Sequence, residues 1–156
     1  MSGEIRRGYI ARRADVAPAR RCDVNATGSG GDGMDAETAR YCIDQVRKFD
    51  HDRYLCTLFV PEAVRDHVFA LYAFNVEVAR VREMIREPMM GRIRLQWWRE
   101  VVEDAPRGNI RRHPVGMALA ETVQSFRLQA GPFDRLLSAR ELDLGEEPPA
   151  DLAALE

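Results

Sequence analysis

The stretch PEAVRDHVFALYAFNVEVARVREMIREPMMGRIRLQWWREVVED, residues 61–104, decides the fold. Pro61 and Pro88 both suit a first helical turn, where a missing amide hydrogen costs nothing and a fixed φ is already helical. The stretch therefore predicts a long helix from Glu62 to about Arg86 and another from Met89 to about Asp104. Their very short connection implies an antiparallel hairpin. At about 100° per residue, Val64, Val68, Leu71, Val78 and Ile85 fall on one apolar arc of the first helix. Asn75 and Arg82 fall inside that arc, with Ala79 and Glu83 beside it. In the second helix Met90, Ile93, Trp97, Trp98, Val101 and Val102 form the apolar side, while Arg92, Gln96, Arg99 and Glu103 face away. Arg94 lies near the middle of the apolar side. An unpaired guanidinium in a core costs several kcal/mol, so Arg82 and Arg94 each require a carboxylate, an anionic ligand or a route to water. The simplest expectation is an ion pair of either one with Glu83; the sharper one is an anion pocket inside a helical bundle. Trp97, Trp98, Met89 and Met90 have the chemistry of a ligand cavity, but helical spacing assigns most of them to the core.

Working outward, Asp35 is placed to cap a helix running to about Phe49, and Asp50 or Asp52 to cap a short one from Arg53 to Phe59. Asp50-His51-Asp52 reads as capping rather than as a metal cluster, because adjacent residues point to different sides of a helix or turn. Pro114 opens a further helical pattern through Gln129, and Pro132 another through Leu144, stopped by Gly145 and Pro148-Pro149. No alternating strand pattern appears, so the fold class is all-α, without internal repeats. Residues 1–33 carry Arg6, Arg7, Arg12, Arg13, Arg20 and Arg21 and then TGSGGDG from Thr27 to Gly33. That composition reads as a disordered tail ahead of one helical domain over residues 34–156. An organelle-targeting role for the tail is opposed by Glu4, Asp15 and Asp23.

A length of 156 residues with 46% hydrophobic content supports a single modest domain. The formal charge of −2 supplies no field for nucleic acid. Cys22, Cys42 and Cys56 lack paired spacing and read as free thiols; His51, His67 and His113 are equally scattered, so no metal site is expected. No apolar run approaches the ~20 residues of a membrane-spanning helix, which leaves a soluble or peripheral protein.

Three segments together resemble the squalene/phytoene synthase family: DRYLCTLFVP at Asp52 to Pro61, LYAFNVEVARVRE at Leu71 to Glu83, and RLQWWREVVED at Arg94 to Asp104. HPVGMALAETV at His113 to Val123 and the segment Phe133 to Leu144 continue it. The resemblance implies the N-terminal part of an isoprenoid-synthase-like bundle, in which aspartates on two facing helices hold magnesium against prenyl diphosphates. The family's first aspartate motif maps onto Ala79, Arg80 and Glu83, so one carboxylate of three remains. No confident catalytic residue and no metal follow. The second aspartate-rich helix would lie past Glu156, so the bundle is expected to be incomplete, with apolar faces left for a protein partner or a second copy. The wording is closest to the branch containing the mitochondrial complex I assembly factor and its bacterial relatives. That implies a non-catalytic helper, with Tyr54, Asn75, Arg82 and Arg94 as residues for a prenyl or phosphate-bearing lipid or for a partner's acidic segment. Such a protein needs no cofactor, contacts no nucleic acid, and would be cytoplasmic or membrane-peripheral in a bacterium and mitochondrial in a eukaryote. The alternatives are an active prenyltransferase using Mg²⁺, or an inert truncated fragment.

Overall fold

The computed structural model describes residues 34–108 and 112–145, and every regular element among them is helical. The anticipated tail over residues 1–33 and the stop at Pro148-Pro149 lie outside the described residues. Helix α1 spans Ala36–Phe49 and starts at Asp35, whose carboxylate accepts from the Thr38 amide at 3.1 Å and the Thr38 hydroxyl at 3.2 Å. Helix α2, His51–Thr57, starts at Asp50, which accepts from the Arg53 amide and pairs with its guanidinium. It begins two residues earlier than Arg53, because Asp50 rather than Asp52 provides the cap.

Helix α3 covers Glu62–Ala79, and the single helix expected to reach Arg86 breaks there. Arg80, at φ −83° and ψ −4°, shares its amide between the carbonyls of Val76 and Val78. The β-branched Val76, Val78 and Val81 crowd this turn. A single turn, α4 at Val81–Met84, follows before Ile85 becomes extended. Glu87 is extended as well, as the residue before Pro88 must be. Helix α5 runs Pro88–Asp104 and tightens into a 3₁₀ turn at Ala105–Arg107, ended by Gly108 at φ 71°. Helix α6 is Pro114–Phe126 and α7 is Ala130–Leu142. The pattern read through Gln129 stops early because Arg127 turns left-handed at φ 50°, with its amide on the Gln124 carbonyl and the Leu128 amide on Val123. That pair of bonds satisfies two orphan carbonyls at a position glycine usually fills.

Helix α1 packs on α3 and α6, α3 on α6, and α5 on α7 and α6. The expected α3/α5 hairpin is not what forms. The break at Arg80 and the extended passage through Ile85 carry α5 towards α7, and α3 and α5 meet through the Phe74 and Trp98 rings, 5.3 Å between centroids. The inward face of α3 also differs from the aliphatic stripe: Phe69, Ala70, Ala73, Phe74 and Val78 are buried, whereas Val64, Val68 and Leu71 are half-buried. Two alanines on that face let neighbouring backbones come close. On α5 the buried stripe is Gly91, Leu95, Trp98 and Val102, so Met89, Met90 and Ile93 stand outside the core at 64%, 50% and 55% exposure. Gly91 takes Leu144 against its Cα; an added Cβ would meet both Leu144 methyls at 2.8 Å. Arg99, expected to face away, instead clamps α7. Its Nε donates to Asp134 and its Nη2 to Ser138 and Glu141, each at 3.0 Å.

Trp98 is fully buried and is the largest side chain in the core. Trp98→Ala should cost about 3–5 kcal/mol in urea-induced unfolding, a large share of what a domain of this size possesses. A loss below about 1 kcal/mol would mean that the core does not rest on this ring.

Candidate functional site

The three positions of the degenerate motif sit at the junction of α3 and α4. Ala79 is half-buried and ends α3. The guanidinium carbon of Arg80 lies 3.6 Å from the centre of the Phe49 ring on α1, a cation–π contact that ties the junction to that helix. Glu83 reaches back to Arg80 at 3.8 Å with its side chain 73% exposed. The junction thus presents a methyl group, a stacked cation and a solvent-facing carboxylate. Among the described residues no group of three His, Cys, Asp or Glu side chains is arranged to hold a metal ion.

A second polar centre forms where α1, α3, α5 and the start of α6 converge. Glu77 of α3 is buried, and its Oε2 lies 3.7 Å from Nη2 of Arg94 on α5. Arg94 therefore has a carboxylate partner, but Glu77 rather than the expected Glu83, which points to solvent one turn past the helix break. The guanidinium also lies 4.8 Å from the Trp97 ring centre and 5.8 Å from that of Trp98. His113 stands edge-on to both indoles, at 5.5 Å and 5.3 Å. Its Nδ1 and the Trp98 Nε1 are buried without a hydrogen-bond partner among the described residues.

Electrostatics follow from this enclosure. Tyr41 is 37% exposed overall, yet partial desolvation raises the pKa of its hydroxyl. The Glu77 charge adds to the shift, against the opposing charges of Arg80 and Arg94. Burial lowers the pKa of His113; the Glu77 charge pulls it back up and Arg94 pushes it further down. The Cys42 thiol, fully enclosed beneath α3, is pushed up to about 12 by burial and by the charges of Asp66 and Glu77.

The other proposed ligand residues do not join this centre. Tyr54 packs on Phe69 at 5.8 Å and His51 at 6.1 Å, and Asn75 is half-buried on α3. Arg82, placed inside the apolar arc by an uninterrupted helix, is exposed because the break at Arg80 resets the face. The sequence reading missed Glu77, Tyr41 and His113. A signal for Glu77 existed: it lies three, four and seven residues after Phe74, Ala73 and Ala70, on the small-residue face that the protein buries.

The family model for squalene/phytoene synthase matches residues 46–156. The chain belongs to the squalene/phytoene synthase family. It is 35% identical over 131 residues to the Homo sapiens protein named "NADH dehydrogenase (ubiquinone) complex I, assembly factor 6", covering 84% of this chain and 38% of that one. The Bos taurus protein of the same name is 33% identical over 129 residues, 82% of this chain and 39% of its own length. A Drosophila melanogaster homolog is 38% identical over 109 residues, covering 66% and 33%. The chain thus spans about two fifths of the length of the bovine and human relatives. No solved structure matches. Ala79 and Arg80 fall at the α3–α4 junction, and Glu77, one turn before Arg80, faces Arg94 of α5. The charges of Glu77, Arg80 and Arg94 all act on the Tyr41 hydroxyl.

Two measurements check the enclosure. In a Cys22→Ser background at pH near 8, a thiol reagent should label exposed Cys56 rapidly and Cys42 only after denaturation. Rapid labelling of both would mean that the core opens at Cys42. Because the folded pKa of His113 lies below its ordinary 6.5, the unfolded chain binds the proton more readily. Stability should be complete above pH 6.5 and fall as the pH drops towards the folded value. His113→Gln should flatten that part of the melting-temperature profile; an unchanged profile would refute the burial of this imidazole.

Proposed function

We propose that this chain is a non-catalytic member of the squalene/phytoene synthase family that acts as an assembly-factor-like binding protein for an NADH dehydrogenase complex. The observation that carries the reading is the pair Ala79 and Arg80 at the α3–α4 junction. Ionising a prenyl diphosphate needs hard divalent cations bridged to the departing diphosphate, and those cations need carboxylate oxygens. Alanine offers none. Arg80 brings a fixed positive charge to the place and is held there by the Phe49 ring. Glu83 is the one carboxylate of the three, and it is exposed and already faces Arg80 at 3.8 Å.

The relatives named as complex I assembly factors support the same direction. On this reading the partner is a protein of that complex, and Arg94, Asn75, Tyr54 and Arg82 are the residues through which an acidic segment or phosphate-bearing lipid would be recognised. No cofactor is required. No helix among the described residues is long and apolar enough to cross a membrane, so any membrane contact made by these helices is from the surface. The compartment follows the complex: mitochondrial in a eukaryote, the cytoplasmic side in a bacterium.

Two assays decide the matter. Purified protein incubated with Mg²⁺ and labelled farnesyl or geranylgeranyl diphosphate should release no prenyl product, and deleting the gene should lower the amount of assembled NADH dehydrogenase. A plasmid copy carrying Glu83→Ala should restore assembly as well as the unaltered gene does. Turnover abolished by Glu83→Ala would establish the prenyltransferase instead, and normal assembly in the deletion strain would remove the helper role.

A further inference from the structure

The corner where α4, the start of α5 and the end of α7 meet concentrates exposed apolar side chains. Met84 is 51% exposed, Met89 64%, Met90 50%, Ile93 55% and Leu142 66%. The reason lies in the chain path. The break at Arg80 and the extended passage at Ile85 lift this corner out of the α3 face, and the α5 core stripe through Gly91 and Leu95 turns the two methionines and Ile93 outward. A groove of about 250 Å³ opens beside them, lined by Arg82, Ile85, Arg86, Pro88, Leu144 and Gly145. Arg82, Arg86 and Arg92 are exposed and make no ion pair among the described residues. Glu83 and Glu87 are the acids on the same segment, and Glu83 already faces Arg80 at 3.8 Å.

The other large apolar tip, Leu55 in the last turn of α2 with Leu58 and Phe59 just after it, is built differently. Its cations are engaged: Arg53 pairs with Asp50, and Arg65 donates from Nε and Nη2 to the Val60 carbonyl at 3.1 and 3.0 Å. Among the described residues, the α4–α5 corner brings three exposed methionines together with arginines that make no ion pair. Arginine forks match phosphate oxygens, and flexible methionine side chains fit the disordered boundary between lipid headgroups and acyl chains.

We propose that this corner docks the protein on an anionic phospholipid surface, with a headgroup phosphate held between Arg82 and Arg86 at the groove and Met84, Met89, Met90 and Ile93 seated in the acyl boundary. The apolar residues supply the partitioning, and the arginines supply the preference for negative lipid. The surface adjoins the α3–α4 junction, since Arg82 and Met84 flank Glu83 on α4, and it rests on the lipid recognition by Arg82 proposed above. Its test reads vesicle binding rather than complex assembly, so the failure of one reading is distinguishable from the failure of the other.

The experiment is flotation of the full chain with phosphatidylcholine vesicles, with and without phosphatidylglycerol, at low and high salt. The unaltered protein should float with the phosphatidylglycerol vesicles, and far less at high salt. Arg82→Gln/Arg86→Gln should weaken binding about five-fold for each arginine removed. Met89→Ser/Ile93→Ser should weaken it by about tenfold or more. Met117→Ser, on the exposed side of α6, should change nothing. Circular dichroism melts verify folding, and the arginine variant, altered only in exposed side chains, keeps the test valid if the Met89/Ile93 variant unfolds. Absence of flotation, equal flotation of all variants, or indifference to phosphatidylglycerol overturns the proposal. A dimer mass by light scattering that Met89→Ser/Ile93→Ser returns to the monomer would also overturn it, assigning the face to a second copy.

Discussion

A carboxylate taken out of water has to meet positive charge, and the arrangement of this bundle answers to that demand at Glu77. Isolated in a core, the ion would cost more than the whole folding free energy of a small domain. Arg94 arrives from α5 to face it at 3.7 Å, and the two tryptophans that follow Arg94 wall the guanidinium on one side. The approach of α5 to α3 is thus set by a charge as well as by the Phe74 and Trp98 rings. His113, at the mouth of α6, is drawn into the same enclosure and takes its depressed pKa from it. Removing Arg94 would strand the buried Glu77, whereas Arg94 keeps access to water if Glu77 is lost; replacing both with apolar groups of similar shape is the milder change.

The boundaries of most helices could be read from short-range chemistry. Asp35 and Asp50 cap, Pro88 and Pro114 open their helices, and each element appears where those residues put it. Such signals involve a few neighbouring atoms and do not depend on the rest of the molecule. The breaks were harder. Nothing local forbids a helix through Arg80 or past Phe126; the chain leaves the helix at Arg80 through a crowded valine turn, and at Arg127 it accepts a left-handed residue that costs about 1 kcal/mol in order to close the end of α6.

The position of the Ala79, Arg80 and Glu83 segment was legible in the sequence, and the structure puts these three residues together at the α3–α4 junction. The charge centre was not, because an amphipathic reading ranks faces by hydrophobicity and passes over the alanines that let helices approach most closely. Once the helix was taken to continue to Arg86, Arg82 was carried inward by arithmetic, and Glu83 was assigned a partner that the break puts out of reach. Arg99 was misplaced for a different reason: three polar partners on α7 let a charged residue sit largely enclosed at a helix interface, and no pattern within α5 announces them.

The seat of Arg80 on Phe49 bears on what position 80 can carry. An aspartate there would discard a stacked contact between two helices and still leave a methyl at position 79, so it would weaken the scaffold without assembling a set of carboxylates. The guanidinium is at once a fixed charge and a piece of the packing between two helices, and a substitution that changes the one necessarily unsettles the other.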